Sequence, residues 1–186
     1  MRKIVLYIAL MFTVLFASCS NETNSSVSKD RELTHDEKIL LDGFLQLNHV
    51  SWDSSKMDDL ETVTGCEGDF CAGPNAFDKK QKDLSGTYYI ASTTDSRDPN
   101  DYHVFLILPT NLAKKTYDKT NIMHWLIDYR NSSVFMVRNR SKDIIPLGQK
   151  LASFDEIMSD SLMKKTNTTY NLNWKKIQVK KDLSYK

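Results

Sequence analysis

Near Gly86 the spacing of apolar residues changes period, and that change limits the chain to folds in which helices come first and a sheet follows. Before it, Thr34-His35-Asp36-Glu37 forms a capping box: Thr34 can accept from an early helical amide while Glu37 reaches back. Leu40, Leu41, Phe44, Leu45 and Leu47 then make a stripe at helical spacing, which predicts a helix over 35–48. Met57, Leu60 and Val63 predict a short second helix over 54–63, and 77–84 reads as one more helical stretch ending at Gly86. Beyond it, Thr87 to Ser92 and Tyr102 to Leu108 are aromatic and β-branched runs joined by the turn-rich segment 95–100. Met123, Trp125, Ile127 and Tyr129 alternate with His124, Leu126 and Asp128. Val134 to Arg138 follows Arg130-Asn131-Ser132-Ser133, which predicts a hairpin. Ile144-Ile145 before Pro146 predicts a short edge strand.

Ser153 with Glu156 makes a second capping box, opening a helix through Phe154, Ile157, Met158 and Leu162. Tyr170, Leu172 and Trp174 alternate as in a strand; Ile177 and Val179 then alternate in the other register, with Lys175-Lys176 as a bulge or the end of pairing. The whole pattern predicts an α+β domain. Its sheet is expected to be mainly antiparallel, of about five or six strands, with N-terminal helices and one late helix.

The first residues carry a different message. Met1-Arg2-Lys3 is basic, Ile4 to Phe16 is an apolar run of 13 residues, and Ala17-Ser18 are small, which are the marks of a secretory signal peptide. The run is shorter than the ~20 residues a helix needs to cross ~30 Å of hydrocarbon. Leu15-Phe16-Ala17-Ser18-Cys19 resembles the lipobox of bacterial lipoproteins, with Phe16 where the usual pattern has Leu. The resemblance covers the first nineteen residues and implies that Cys19 is lipidated and begins the mature chain. Ser20, rather than Asp, implies an outer-membrane address within the cell envelope. Two or three acyl chains, at ~0.8 kcal/mol per buried methylene, would make the anchor permanent. The expected organisation is a signal peptide over 1–18, a lipid-anchored flexible tether over 19–32 and one domain over 33–186. Residues 20–32 contain a single strongly apolar residue, Val27. As a flexible chain they would span about 20 Å and stretch to ~45 Å at most.

Setting Cys19 aside leaves Cys66 and Cys71, in Gly65-Cys66-Glu67-Gly68-Asp69-Phe70-Cys71-Ala72-Gly73. In an oxidising compartment this reads as a disulfide closing a small loop, whose glycines supply the backbone freedom the loop needs. The spacing is not Cys-x-x-Cys, and no histidine lies between residues 50 and 102 to complete a metal site, so no metal and no cofactor are expected. Without Arg2 and Lys3 the mature chain has 23 basic and 24 acidic residues, a net charge of −1. Residues 20–101 carry 17 acidic and 8 basic side chains, net −9, while 102–186 carry 7 acidic and 15 basic, net +8. Such a split either neutralises itself across packed halves or gives two faces that steer a charged partner. Lys175, Lys176, Lys180, Lys181 and Lys186 crowd the last twelve residues, where an acidic partner could meet them.

Four histidines are available for chemistry: His35, His49, His103 and His124. His35 lies in a helix cap and His49 just past a helix end, where a cation suits the dipole. His103 and His124 fall on alternating strands, facing solvent or hydrogen-bonding within the sheet. No Gly-x-Ser-x-Gly elbow, His-Glu-x-x-His helix, phosphate-binding glycine loop or dinucleotide fingerprint is present, although a site assembled from distant residues stays open. Ser85-Gly86-Thr87-Tyr88-Tyr89 is similar over five residues to the Ser-Gly-x-x-Tyr signature of periplasmic lysozyme inhibitors. Those domains are β-barrels, whereas this chain begins with helices. The expected function is therefore a lipid-anchored envelope protein that binds another protein, as an immunity protein, an inhibitor or an assembly subunit. A wall- or glycan-directed hydrolase and a small-ligand carrier are the alternatives. The expected partners are the membrane, through Cys19, and a protein; nucleic acid is not expected.

Overall fold

The computed structural model describes residues 27–28, 31–50, 76–77, 79–94, 101–117, 119–129, 133–136 and 151–186. They form an α+β fold around one mainly antiparallel sheet. In chain order the elements are β1 (Val27–Ser28), α1 (His35–Asn48), β2 (Gly86–Thr94), β3 (Asp101–Ile107), α2 (Thr110–Ala113), β4 (Ile122–Asp128), β5 (Ser133–Met136), α3 (Phe154–Ser159), α4 (Ser161–Tyr170) and β6 (Trp174–Val179). The strand order is β1-β6-β2-β3-β4-β5. The long ladders β6-β2, β2-β3 and β3-β4 are antiparallel, as is the short β4-β5 pair, while two residues of β1 pair parallel with β6. The hairpin expected after β4 is present, with Asp128 opposite Ser133. The proposed helix over 54–63, the turn over 95–100 and the edge strand at Ile144-Ile145 lie outside the described residues.

Both faces of the sheet are covered. Alternation sends Tyr88 and Ile90 of β2, Val104 and Leu106 of β3, and Trp125 of β4 to one face, where they pack on Leu40, Leu41, Phe44 and Leu45 of α1. Phe44 meets the rings of Phe77, Tyr88 and Trp125 at centroid separations of 6.0 to 6.2 Å. The opposite face carries Ala91, Phe105, Ile107, Ile122 and Trp174 against Ile157 and Met163 of α3 and α4. This two-sided burial explains β6, which the sequence pattern splits. Trp174 serves one face, Ile177 and Val179 the other, and the ladder with β2 runs unbroken from Ile90–Lys175 to Gly86–Val179 with no bulge.

Three further expectations are corrected. Residues 76–77 and 79–85 are not helical: their backbone is drawn into bridges, Phe77 to Thr116 and Gln81 to His49. The Asn48 side chain takes the Ala76 amide at 3.0 Å, and the Asn48 carbonyl takes that of Gln81 at 2.7 Å. The late helix is two helices, because Asp160 is extended and its carboxylate caps the amides of Leu162 and Met163. Tyr170 ends α4 instead of opening a strand, since Asn171 turns left-handed at φ 49° and donates back to the Asn167 carbonyl. Both capping boxes form as read, at Thr34 with Glu37 and at Ser153 with Glu156.

The fold also reaches further back than residue 33. Val27–Ser28 join the sheet, and Arg31 makes a forked pair with Glu37 at 2.6 and 2.8 Å. The same guanidinium donates to the carbonyls of Ile90 at 3.1 Å and Asn173 at 2.9 Å. Glu37 is 1% exposed and also accepts from the Thr34 amide, so one buried carboxylate both starts α1 and holds the segment before it. Polar composition marks 20–32 as a tether; of that stretch the described residues Val27–Ser28 lie in the sheet and Arg31 is held by four bonds to Glu37, Ile90 and Asn173. Removing one member of a buried pair leaves the other charge unpaired. Arg31→Met is therefore expected to cost about 3 kcal/mol in urea unfolding, and the double change R31M/E37M to restore part of it, the loss of the α1 capping acceptor remaining. A chain beginning at residue 33 should show a similar loss.

Candidate functional site

Of the four histidines, the structure brings two together. In the β3–β4 ladder His103 lies opposite Leu126 and Phe105 opposite His124, so the two imidazoles are diagonal neighbours on the face covered by α3 and α4. Nδ1 of His103 and Nε2 of His124 are 2.8 Å apart. Phe105 stacks on His124 with ring centroids 4.2 Å apart, and Tyr170, the last residue of α4, closes over His103 at 5.1 Å. His103 is 7% and His124 1% exposed. His35, by contrast, is exposed beside the α1 cap, and His49 is the C-terminal cap of α1, within 3.2 Å of the Lys82 carbonyl through Nε2.

Burial decides the protonation of His124. The apolar surroundings, and then the neighbouring His103, push the His124 pKa down from 6.5 to about 3, so His124 is neutral at ordinary pH. Its Nδ1 has no hydrogen-bond partner among the described residues. An unpaired ring nitrogen costs less in such a place than an orphaned N–H. The arrangement thus favours Nε2–H of His124 donating to Nδ1 of His103. Among the described residues no group of three or more His, Cys, Asp and Glu side chains could hold a metal ion. What His124 can do, sealed under α4, is couple the fold to pH.

The lysines singled out in the sequence do not form one patch. Lys175 and Lys176 pair with Ile90 and Tyr89 respectively, so they project from opposite faces of the sheet. Lys180 and Lys181 sit on a turn that folds the C-terminus back on β6, with the Lys180 amide donating to the Ser184 carbonyl at 2.8 Å and Val179 bridging Tyr185. The Tyr185 hydroxyl donates to Asp42 on α1 at 2.8 Å, so the basic tail is held rather than frayed. Nor does the charge split of the sequence map onto two separate halves, because β6 lies between β1 and β2. Cys19, Cys66 and Cys71 lie outside the described residues. The Ser85–Tyr89 stretch serves the fold: the Tyr88 hydroxyl donates to the Leu84 carbonyl at 2.7 Å, and Tyr89 stacks on Phe154 with centroids 3.7 Å apart.

Sequence reasoning named His103 and His124 singly and missed their contact. The signal was incomplete, because alternation gives the face of each residue while the register, set by the connection between β3 and β4, decides which residues meet. No protein-family model, no curated protein and no solved structure matches the chain.

The His124 shift makes a pH prediction. The folded state refuses a proton that the unfolded chain accepts below 6.5, so stability is complete above that value and falls as pH drops toward about 3. Between about pH 7.5 and about pH 5 the wild type should lose roughly 2 kcal/mol more than His124→Leu, read from urea midpoints. Parallel losses in the two proteins would remove His124 from the pH response.

Proposed function

We propose that the chain is a lipid-anchored bacterial envelope protein whose folded domain works by binding another protein. The observation that carries the anchor is the opening sequence: a basic start, an apolar run of 13 residues and Ala17-Ser18 immediately before Cys19. Among the described residues no helix is long and apolar enough to cross a membrane. The binding role is supported by exposed lysines at positions 180 and 181 on a turn fixed by backbone bonds and by Tyr185. A turn whose backbone is already held need not be ordered when a partner arrives, and its charges speed encounter with a surface of opposite sign. An immunity protein, an inhibitor and an assembly subunit all work in this way. Cys66 and Cys71 are proposed to close a disulfide in the same exported chain, and the sheet is proposed to count its two short edge strands among its members.

Three experiments test this reading. Cys19→Ala should abolish incorporation of labelled fatty acid and release the protein from membranes, whereas unchanged labelling would refute the anchor. The mature protein should yield a Cys66–Cys71 peptide about two mass units below its dithiol form. Alkylatable thiols at both positions in fresh envelopes would exclude the disulfide. For the binding role, cross-linking of the anchored wild type in native envelopes should give one discrete protein adduct, and a chain with only monomer bands would argue against it.

A further inference from the structure

Three separate stretches of chain bring lysines to one end of the sheet. Gly86 pairs with Val179, so the segment leading into β2, with Lys79 and Lys82, lies beside the turn leaving β6, with Lys180 and Lys181. Gly86 has φ +150° and also lies against Pro109, where an added Cβ would come within 2.6 Å of the ring. That contact sets α2, and Lys114 and Lys115 behind it, at the same end. The Phe77–Thr116 bridge and the Tyr117 amide on the Ala76 carbonyl, at 3.2 Å, tie the pieces together. All six lysines are exposed. Among the described residues only Lys181 of the six reaches a carboxylate, that of Asp83 at 4.0 Å. The Asp83 carboxyl is held below its usual range first by the Ser85 hydroxyl and amide, and further by Lys181 and Lys115. Lysines from two distant segments therefore act on one acid.

The first described strand, β1, joins the sheet at the other end. β1 pairs with β6 at Trp174 and Lys175, and the six residues of β6, Trp174–Val179, extend for roughly 20 Å along the strand. From Cys19 to Val27 the chain can stretch at most about 28 Å.

We propose that the lysine end is a docking surface for the acidic face of a partner protein, directed away from the lipid. This rests on the reading of the chain as a lipid-anchored binding protein and adds where the partner sits and what charge it carries. A partner of this kind fits better than anionic lipid, because the anchored segment joins the sheet at the opposite end. Six lysines against the two carboxylates of Asp83 and Asp182 leave this end net positive, and on a frame set by strand ladders it attracts acidic surfaces in a salt-dependent way.

The test uses mature protein in detergent and poly-L-glutamate as the acidic probe, titrated at low and high salt. K114E/K115E and K180E/K181E should each weaken binding about tenfold at low salt and flatten its salt dependence. Lysine-to-glutamine changes at the same pairs should have a smaller effect in the same direction, and urea midpoints show that each variant is folded. K164E/K165E, exposed on α4, makes the same change in net charge elsewhere and should leave binding within about twofold. Equal losses in all three reversed variants would overturn the proposal, since net charge alone would then explain them. So would tighter binding of phosphatidylglycerol vesicles than of polyglutamate through the same lysines, which would assign the surface to a membrane. If envelope cross-linking finds a partner that the reversed variants retain in full, this surface fails and the binding role stands. If polyglutamate binding behaves as predicted while no partner is cross-linked, the binding role fails and the surface stands.

Discussion

The ladder between β2 and β6 brings the last strand of the chain against the first long one, from Gly86–Val179 to Ile90–Lys175. Trp174 can then fill the core under α3 and α4 while Ile177 and Val179 fill the core under α1. The same strand offers its free edge to β1, and the Asn173 carbonyl just before it accepts from Arg31. Its exit places Lys180 and Lys181 beside the entry to β2. The pairing is far apart in sequence, so the chain must be nearly complete before the sheet can close. A contact of such range costs loop entropy before any of its burial is gained.

Local signals were read well where short-range chemistry decides the structure. Thr34 with Glu37 and Ser153 with Glu156 start helices because a side-chain oxygen satisfies an amide three residues away, whatever lies elsewhere. The alternation of β4 sorted its residues correctly into two faces. The misreadings came where distant partners decide. Residues 77–84 have apolar spacing that suits a turn of helix, yet the end of α1 and the loop after α2 claim their backbone groups. In β6 an apparent change of register is a strand buried on both sides, which a rule built for half-buried strands cannot describe. Arg31 was invisible as an anchor because its partners lie at positions 37, 90 and 173.

The two candidate sites differ in the same respect. The histidines belong to the interior: their contact follows from the β3–β4 register, and burial keeps His124 neutral. The lysines belong to the exterior, and clustering in sequence misrepresented them. Lys175 and Lys176 diverge, while Lys82, Lys115 and Lys181 converge from positions far apart because strand ends meet there. Charge counted along the chain is thus a poor map of charge in space once the last strand inserts beside the first.

The central claim is that β6 and its returning turn are part of the cooperative core, so that the lysines beyond it are presented on a rigid frame. Native-state hydrogen exchange tests this most directly. The protected amides of β6, together with those of Gln178 and Lys180 that donate to the C-terminal turn, should exchange with the same free energy as those of β3 and β4, through global unfolding. Exchange of β6 and the turn through a smaller opening, with β2, β3 and β4 still protected, would contradict the account.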